Sequence, residues 1–374
     1  MPAPPLTVPA YVVNPERQSI RRHGVSRSRK GDKDRAKVVS TSSRPWADIL
    51  ILPKPGQIFR FIFQNIQGLP IEPRAHKHKQ IGDAFVETQA DVFGMAELNL
   101  NFKHLSATSQ WHERFQKLRR NNSVHATNQH DSSTSNLLYG GTAQIVMGTT
   151  SHRVLSSGID ASGLGRWVWT LLAGKNQTKL RVISGYRPNP DTSDQTGSVY
   201  SQHERHLRSL HDDRNPRRAF IKDLQADLTT WSDEGDLFLI GLDANDNVRT
   251  GDVNQMLRIA GLVDVHHAKH PHLSTASTCN KNTHDIPVDG IWASPSLDCV
   301  AAGYYGFGEL VMGKTDHRMI WADFSYESAF DFKPEPTIYT PPQRLTLEDL
   351  SSSKEVQQSS PPRTRSPTYA IPCF

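Results

Sequence analysis

Residues 313–318, Gly-Lys-Thr-Asp-His-Arg, set a carboxylate and an imidazole side by side between the apolar segments Tyr304–Val311 and Met319–Phe324. An adjacent Asp316–His317 pair at the mouth of a strand offers an oxygen ligand for a hard cation and a group that titrates near neutrality. Alone the dipeptide says little, since such pairs also sit in solvated loops. Four upstream segments supply the partners that chemistry needs: Gln64-Asn65-Ile66-Gln67-Gly68-Leu69, Met95-Ala96-Glu97-Leu98-Asn99, Ile240-Gly241-Leu242-Asp243-Ala244-Asn245 and Ile286-Pro287-Val288-Asp289-Gly290-Ile291-Trp292. Each places one acid or amide at or just past an apolar, β-like run.

Hydrolysis of a phosphate ester requires stabilised negative charge, an activated water and a neutralised leaving oxygen. Glu97 is the first candidate metal ligand, and Asn65 can hold the same metal's water or a phosphate oxygen. With Asp316 they form an all-oxygen donor set suited to Mg2+, with Mn2+ as the alternative. Asp243 and Asn245, spaced i, i+2, can point into one cleft. His317 can take a proton from water, and Asp289, on an apolar strand, is the carboxylate that would orient it; Asp285 competes for that role. Tyr186, Arg187 and Asn189 share a tight Pro turn and can contact phosphate or the leaving oxygen. Arg166, after Gly163-Leu164-Gly165, can add a phosphate contact.

These groups need strands to carry them. Ile58–Asn65, Asp91–Ala96, the Gly-led Tyr139–Met147, Trp167–Leu172, Lys179–Gly185, Asp236–Leu242, Val288–Ala293 and Met319–Phe324 read as strands, and Ala173-Gly174-Lys175-Asn176 as a hairpin turn. Helical spacing is confined to Lys79–Gln89, a pair within Tyr200–Thr230, and Val253–Ala260. Strands outnumber helices and several join by hairpins. The expected fold class is therefore α+β, with packed, mostly antiparallel or mixed sheets flanked by helices.

Composition sets the domain limits. Only 36% of the 374 residues are hydrophobic, and the deficit lies at the ends. Residues 1–56 read as a disordered basic arm, 57–326 as the folded domain, and 327–374 as a disordered Pro/Ser-rich tail. Residues 1–45 hold ten Lys/Arg against three Asp/Glu, although the whole chain has a formal charge of only +5. The basic character belongs to the arm, which suits contact with a phosphate backbone or nuclear import. The three cysteines, Cys279, Cys299 and Cys373, lie far apart, so neither a disulfide framework nor a zinc motif is expected. No signal peptide or membrane span is read. An intracellular, non-secreted protein of nucleus or cytoplasm follows, without an evident protein partner and monomeric.

The five motifs in this order, with Tyr186-Arg187-Pro188-Asn189 between the second and third, resemble the endonuclease/exonuclease/phosphatase superfamily with its DNase I-like fold. The resemblance spans about Ile58 to Phe324. Gly140-Gly141-Thr142-Ala143, Asp289-Gly290-Ile291-Trp292 and Asp316-His317-Arg318 followed by Trp321 are most similar to endonuclease domains of non-LTR retrotransposons. The resemblance implies a four-layer sandwich and a Mg2+-dependent phosphodiesterase acting on DNA. It puts Asn65, Glu97 and Asp316 on the metal side, Tyr186 beside the phosphate, Asp243 and Asn245 at the scissile phosphate, and His317 as general base paired with Asp289. One departure is Leu242, where members usually have Gly directly before the Asp. Two other readings stay open: a phosphomonoesterase of the same fold acting on a small or lipid-headgroup phosphate, and a catalytically silent, retroelement-derived nucleic-acid-binding protein.

Deleting residues 1–45 is expected to leave a folded, active core that binds DNA more weakly and with a shallower salt dependence. Binding measured across a salt series checks this; an unchanged slope shows that the arm does not touch the backbone.

Overall fold

The computed structural model describes residues 44–69, 76–115, 121–190, 197–281, 285–309 and 315–334. Two mixed sheets lie face to face. The first, of seven strands, contains β1 (Trp46–Ala47), β2 (Ile58–Asn65), β3 (Val92–Ala96), β4 (Asn121–Ala126), β5 (Thr142–Met147), β12 (Cys299–Tyr304) and β13 (Ile320–Ser325) in the order β1-β12-β13-β2-β3-β5-β4. The second, of six strands, contains β6 (Val154–Ile159), β7 (Trp167–Ala173), β8 (Lys179–Tyr186), β9 (Leu237–Asp243), β10 (Val263–Asp264) and β11 (Asp289–Ala293) in the order β10-β11-β9-β8-β7-β6. Each sheet has one parallel pair, β2 with β3 and β8 with β9. Every other strand pairing among the described residues is antiparallel.

The period of two within a strand explains the layers. Phe59, Phe61 and Phe63 of β2 face the second sheet and pack with Leu180, Val182, Leu239 and Ile291. Ile62 faces outward with Phe93 and Ile145, where α1 (Lys77–Thr88) and α2 (Leu105–Phe115) cover the sheet through Ile81, Phe85, Trp111 and Phe115. On the far side of the second sheet, α4 (Pro216–Asp233) and α5 (Asp252–Ile259) cover Ile183, Ile240, Leu242 and Trp292. The result is helix, sheet, sheet, helix. Local signals set the helix starts: Asn215 caps α4 by accepting from Arg217 N at 2.9 Å, with Pro216 in the first turn. Between α3 (Val199–Ser209) and α4 the chain turns back on itself as the paired-helix reading expects. The hairpin at Gly174 is also present, closing β7 on β8 through Asn176 and Gln177 at φ 48 and 65.

Packed structure extends on both sides of the 57–326 span. Trp46–Ala47 pairs with β12, Arg44 O accepts from Arg318 at 2.8 Å, and the short helix Tyr326–Phe330 buries Phe330 in the inter-sheet core. A truncation that tests the arm alone therefore ends before Arg44. Most of both expected tails lies outside the described residues. Strands β4, β6, β10 and β12 and helix α2 carry no clear sequence signal, because their residues are partly exposed and polar, or too few to show a period. Among the described residues, no helix is long and apolar enough to cross a membrane.

The two sheets pack tightly against each other at two positions where side chains are absent. A Cβ at Gly94 would lie 2.1 Å from Ser184 Oγ, and one at Gly241 2.7 Å from Phe61 and 2.8 Å from Phe63. Gly241→Ala is expected to destabilise the protein by about 1–3 kcal/mol, through overpacking of a core with no slack. It should also lower activity by displacing Asp243, two residues on. Urea unfolding beside a rate assay checks both.

Candidate active site

Four central strands deliver polar groups to one edge of the sandwich. Asn65 ends β2 and Glu97 follows β3, whose parallel pairing places both at the same end of the first sheet. Tyr186 and Asp243 end β8 and β9 and are register partners in the parallel pair of the second sheet. The two sheets meet there, since Asn65 Nδ2 donates to Asp243 Oδ2 at 2.7 Å. Asp289 opens the antiparallel β11 directly opposite Asp243, so the two carboxylates share one face. His317 lies just before β13 and donates from, or accepts at, Nδ1 with Asp289 Oδ2 at 2.7 Å.

The backbone fixes this dyad from several directions. Thr278 Oγ1 accepts from Asp289 N at 3.0 Å and Val288 N at 2.9 Å, while Gln64 Nε2 donates to His317 O at 3.1 Å. Thr315 Oγ1 donates to Asn65 O at 2.7 Å and accepts from His317 N at 3.2 Å. Thr315 thus ties the His317 loop to the end of β2. Leu242 does not disturb Asp243. It points into the helix-side core, while Gly241, on Asp243's own face, makes room for Phe61 and Phe63.

Asp243 Oδ1 accepts from Asn245 N at 3.0 Å, and Asn245, at φ 45, donates from Nδ2 to Arg187 O at 2.7 Å. Tyr186 is buried beside Glu97 and lines the same cleft. Glu97 itself sits at φ 51, a left-handed conformation uncommon for a residue with a side chain. The Gly-Gly turn holds it there: Leu98 N and Asn99 N donate to Gly141 O and Gly140 O at 3.3 and 2.9 Å, and Asn99 Oδ1 accepts from Gly140 N at 2.8 Å. A cleft of about 340 Å³ opens beside these groups, lined by Gln67, Glu97, Asn99, Tyr139, Tyr186 and Val199.

Crowded acids in a dry setting govern the electrostatics. Burial, reinforced by Asp289 and then Glu97, pushes Asp243 up to about 8. Burial alone would lower His317, but the charges of Asp289 and Asp243 outweigh it and raise the imidazole well above its ordinary value. The Tyr186 hydroxyl is driven well above 10 by burial, then by Glu97 and Asp243. Asp316 Oδ1 lies 3.8 Å from His317 Nε2, and its Oδ2 pairs with Lys281 at 2.5 Å.

Two of the expected arginines do other work. Arg166, 1% exposed, directs Nε and a terminal nitrogen to Asp160 at 2.6 and 2.8 Å and the other to Asp223 at 2.8 Å. Its backbone carbonyl accepts from Tyr186 N at 2.8 Å, but its side chain is a buried ion pair and the expected phosphate contact is withdrawn. Arg187 pairs with Asp246 at 3.0 Å and reaches Asp252 at 3.8 Å, which anchors the turn after Asp243. Asn189 is exposed on the turn leading out of β8. Lys77 has no signal in the sequence. A lysine in the first turn of an amphipathic helix reads as solvated, yet it is 8% exposed, donates to Ile66 O and Gln67 O, and is lowered by burial to about 8 against the pull of Asp316 and Glu97.

The architecture is shared with solved structures. The AP endonuclease of Leishmania major superposes with a TM-score of 0.53 at 16% identity, covering 73% of this chain and 89% of that one. The chain has the DNase I-like fold. The catalytic domain of human nocturnin gives a TM-score of 0.51 at 15% identity, covering 72% of this chain and 93% of that one. No family model and no curated protein sequence matches the chain.

Because Asp243 titrates higher folded than unfolded, its ionisation opposes folding increasingly as pH rises from about 4 toward about 8. Asp243→Asn should therefore raise the melting temperature of the metal-stripped protein. The gain should grow across that range, since the buried carboxylate is increasingly ionised as pH rises. Thermal unfolding in EDTA at pH 5 and pH 8 checks this; an equal or lower melting temperature at pH 8 shows that the charge is compensated.

Proposed function

We propose that the protein is a metal-dependent phosphodiesterase, a DNA endonuclease of the non-LTR retrotransposon type. The observation that carries this is the His317–Asp289 dyad at 2.7 Å, set against the oxygen donors that close the four central strands. The donor set fits a hard divalent cation. Glu97 and Asp316 both act on Lys77 and Lys281, so they share one neighbourhood, and the acids there are crowded enough to lift Asp243. Glu97 and Asp316, with Asn65, would hold Mg2+ or Mn2+, which supplies charge neutralisation for the phosphate and offsets the acids that keep His317 protonated.

The protein's own groups do the rest. Asp289 fixes the Nδ1–H tautomer, which turns Nε2 toward the cleft to take a proton from water, and it stabilises the imidazolium that forms. Asp243 and Asn245 meet the scissile phosphate, with Asp243 held in place by Asn65. Tyr186, kept protonated by its surroundings, donates toward a phosphate or leaving oxygen. Asn189 contacts the substrate from the exposed turn. The basic arm, and the AP endonuclease among proteins of this fold, favour DNA. The phosphomonoesterase reading remains the competitor because the folded part of the chain lacks the arm's excess of positive charge.

Nicking of supercoiled plasmid in Mg2+, run beside phosphate release from an inositol phosphate, separates the two. EDTA should abolish the activity, and full activity after exhaustive chelation rules out the mechanism. His317→Ala should cut the rate by on the order of 10²–10⁴-fold with the fold intact. Asp289→Asn should also slow turnover, and the double variant should be hardly worse than His317→Ala, since the two act as one unit. Near wild-type nicking by His317→Ala sinks the catalytic assignment.

A further inference from the structure

Cys279 has no part in the proposed reaction, yet it is buried directly opposite His317 on a neighbouring stretch of chain. Cys279, Asp316 and His317 offer ligand atoms that all lie within 4.8 Å of one another. All three are buried, at 7, 9 and 7% exposure. Their backbones are locked in register: Cys279 and His317 form a β-bridge, Asn280 N donates to Asp316 O, and Arg318 N donates to Thr278 O, both at 2.8 Å. Ser277 Oγ adds a bond to Cys279 O at 2.6 Å. The site is built rather than assembled from mobile surface groups.

The donor chemistry is not that of a magnesium site. Sulfur, imidazole nitrogen and a single carboxylate oxygen suit a softer, tetrahedral cation, and Mg2+ has no use for the sulfur. His317 is already arranged as metal-bound histidines are, with Nδ1 committed to the Asp289 carboxylate at 2.7 Å. That leaves Nε2 facing Asp316 Oδ1, 3.8 Å away, while Lys281 engages Oδ2. We propose that Cys279, Asp316 and His317 form a Zn2+ site that overlaps the hydrolytic centre and shuts it down when filled. On binding, the thiol proton and the proton on Nε2 pass to solvent and the freed Nε2 lone pair goes to the cation, so the imidazole can no longer accept a proton from water. Asp316 is drawn from the hard-cation side by the same event. The fourth position is left for water. Sequence spacing hides this site because Cys279 lies far from the Asp316–His317 pair along the chain and has no CxxC partner.

The site stands on geometry alone, whereas the shutdown rests on the phosphodiesterase reading. The test separates the two. Metal-stripped full-length protein is titrated with Co2+ as a spectroscopic stand-in for Zn2+. A thiolate-to-cobalt band in the near ultraviolet, displaced by Zn2+ and absent in both Cys279→Ala and Cys279→Ser, is the expected result. No such band in the wild type, or a band that survives both substitutions, overturns the site. In parallel, nicking in saturating Mg2+ is titrated with Zn2+. Inhibition of the wild type, with at least about tenfold weaker inhibition of Cys279→Ala at an unchanged Mg2+ rate, supports the shutdown. Equal inhibition of both proteins overturns it. If the protein nicks no DNA, the phosphodiesterase reading fails while the cobalt spectra still decide the site.

Discussion

The hydrogen bond between Asn65 and Asp243 joins the last residues of two central strands that belong to different sheets. Everything at the site depends on the sheets meeting in that register. Phe61 and Phe63 of β2 fill the space over Gly241, and Gly94 leaves room for Ser184, so the inter-sheet gap is set by contacts with no slack. A slip of one residue in β9 would turn Asp243 toward the helices and put Leu242 in its place, because strand side chains alternate faces. The core therefore does more than bury apolar area: it decides which atoms face one another at the edge.

That arrangement is costly, and the cost is visible in the charges. Asp243 and Asp289 are register partners, both almost fully buried, with Glu97 near enough to push Asp243 further up. A fold selected for stability alone would not set carboxylates opposite each other in a dry edge. The neighbours that relieve the crowding are few. His317 takes one Asp289 oxygen, Asn65 and the Asn245 backbone take the two Asp243 oxygens, and Thr278 braces the Asp289 backbone rather than its carboxylate. On the phosphodiesterase reading, strain of this kind is what preorganises the centre for a cation and substrate.

Much of this is legible in the amino-acid sequence. Strand ends announce themselves as an apolar run stopped by a single acid or amide, and so Asn65, Glu97 and Asp243 stand out from the residue order alone, while Asp289 stands out as the acid that heads one. Leu242 looks like a disruption in the sequence, since a one-dimensional motif counts residues, whereas a strand counts faces. Partners remote in sequence are not legible. Nothing near Arg166 indicates that Asp223, on a distant helix, will claim its guanidinium, so a guanidinium after a glycine turn reads as a phosphate contact. Lys77 fails the other way, looking solvated because helix periodicity cannot show that the turn after β2 folds back to receive its amine.

Arg166 and Lys77 together change how an anionic substrate would be met. On the phosphodiesterase reading, positive charge must stand near the scissile group, and the arginines expected to supply it are occupied: Arg166 by Asp160 and Asp223, Arg187 by Asp246 and Asp252. What the site has instead is Lys77 and Lys281, each within the electrostatic reach of Asp316 and Glu97. Burial lowers Lys77 to about 8, so its ammonium is held less firmly than an exposed lysine's and depends on those two carboxylates. A divalent cation drawn by the same carboxylates would compete with it. The proposed cation and the lysine are then alternatives for one pool of negative charge, and the loop after β2, which the lysine ties down, is where that competition would be felt.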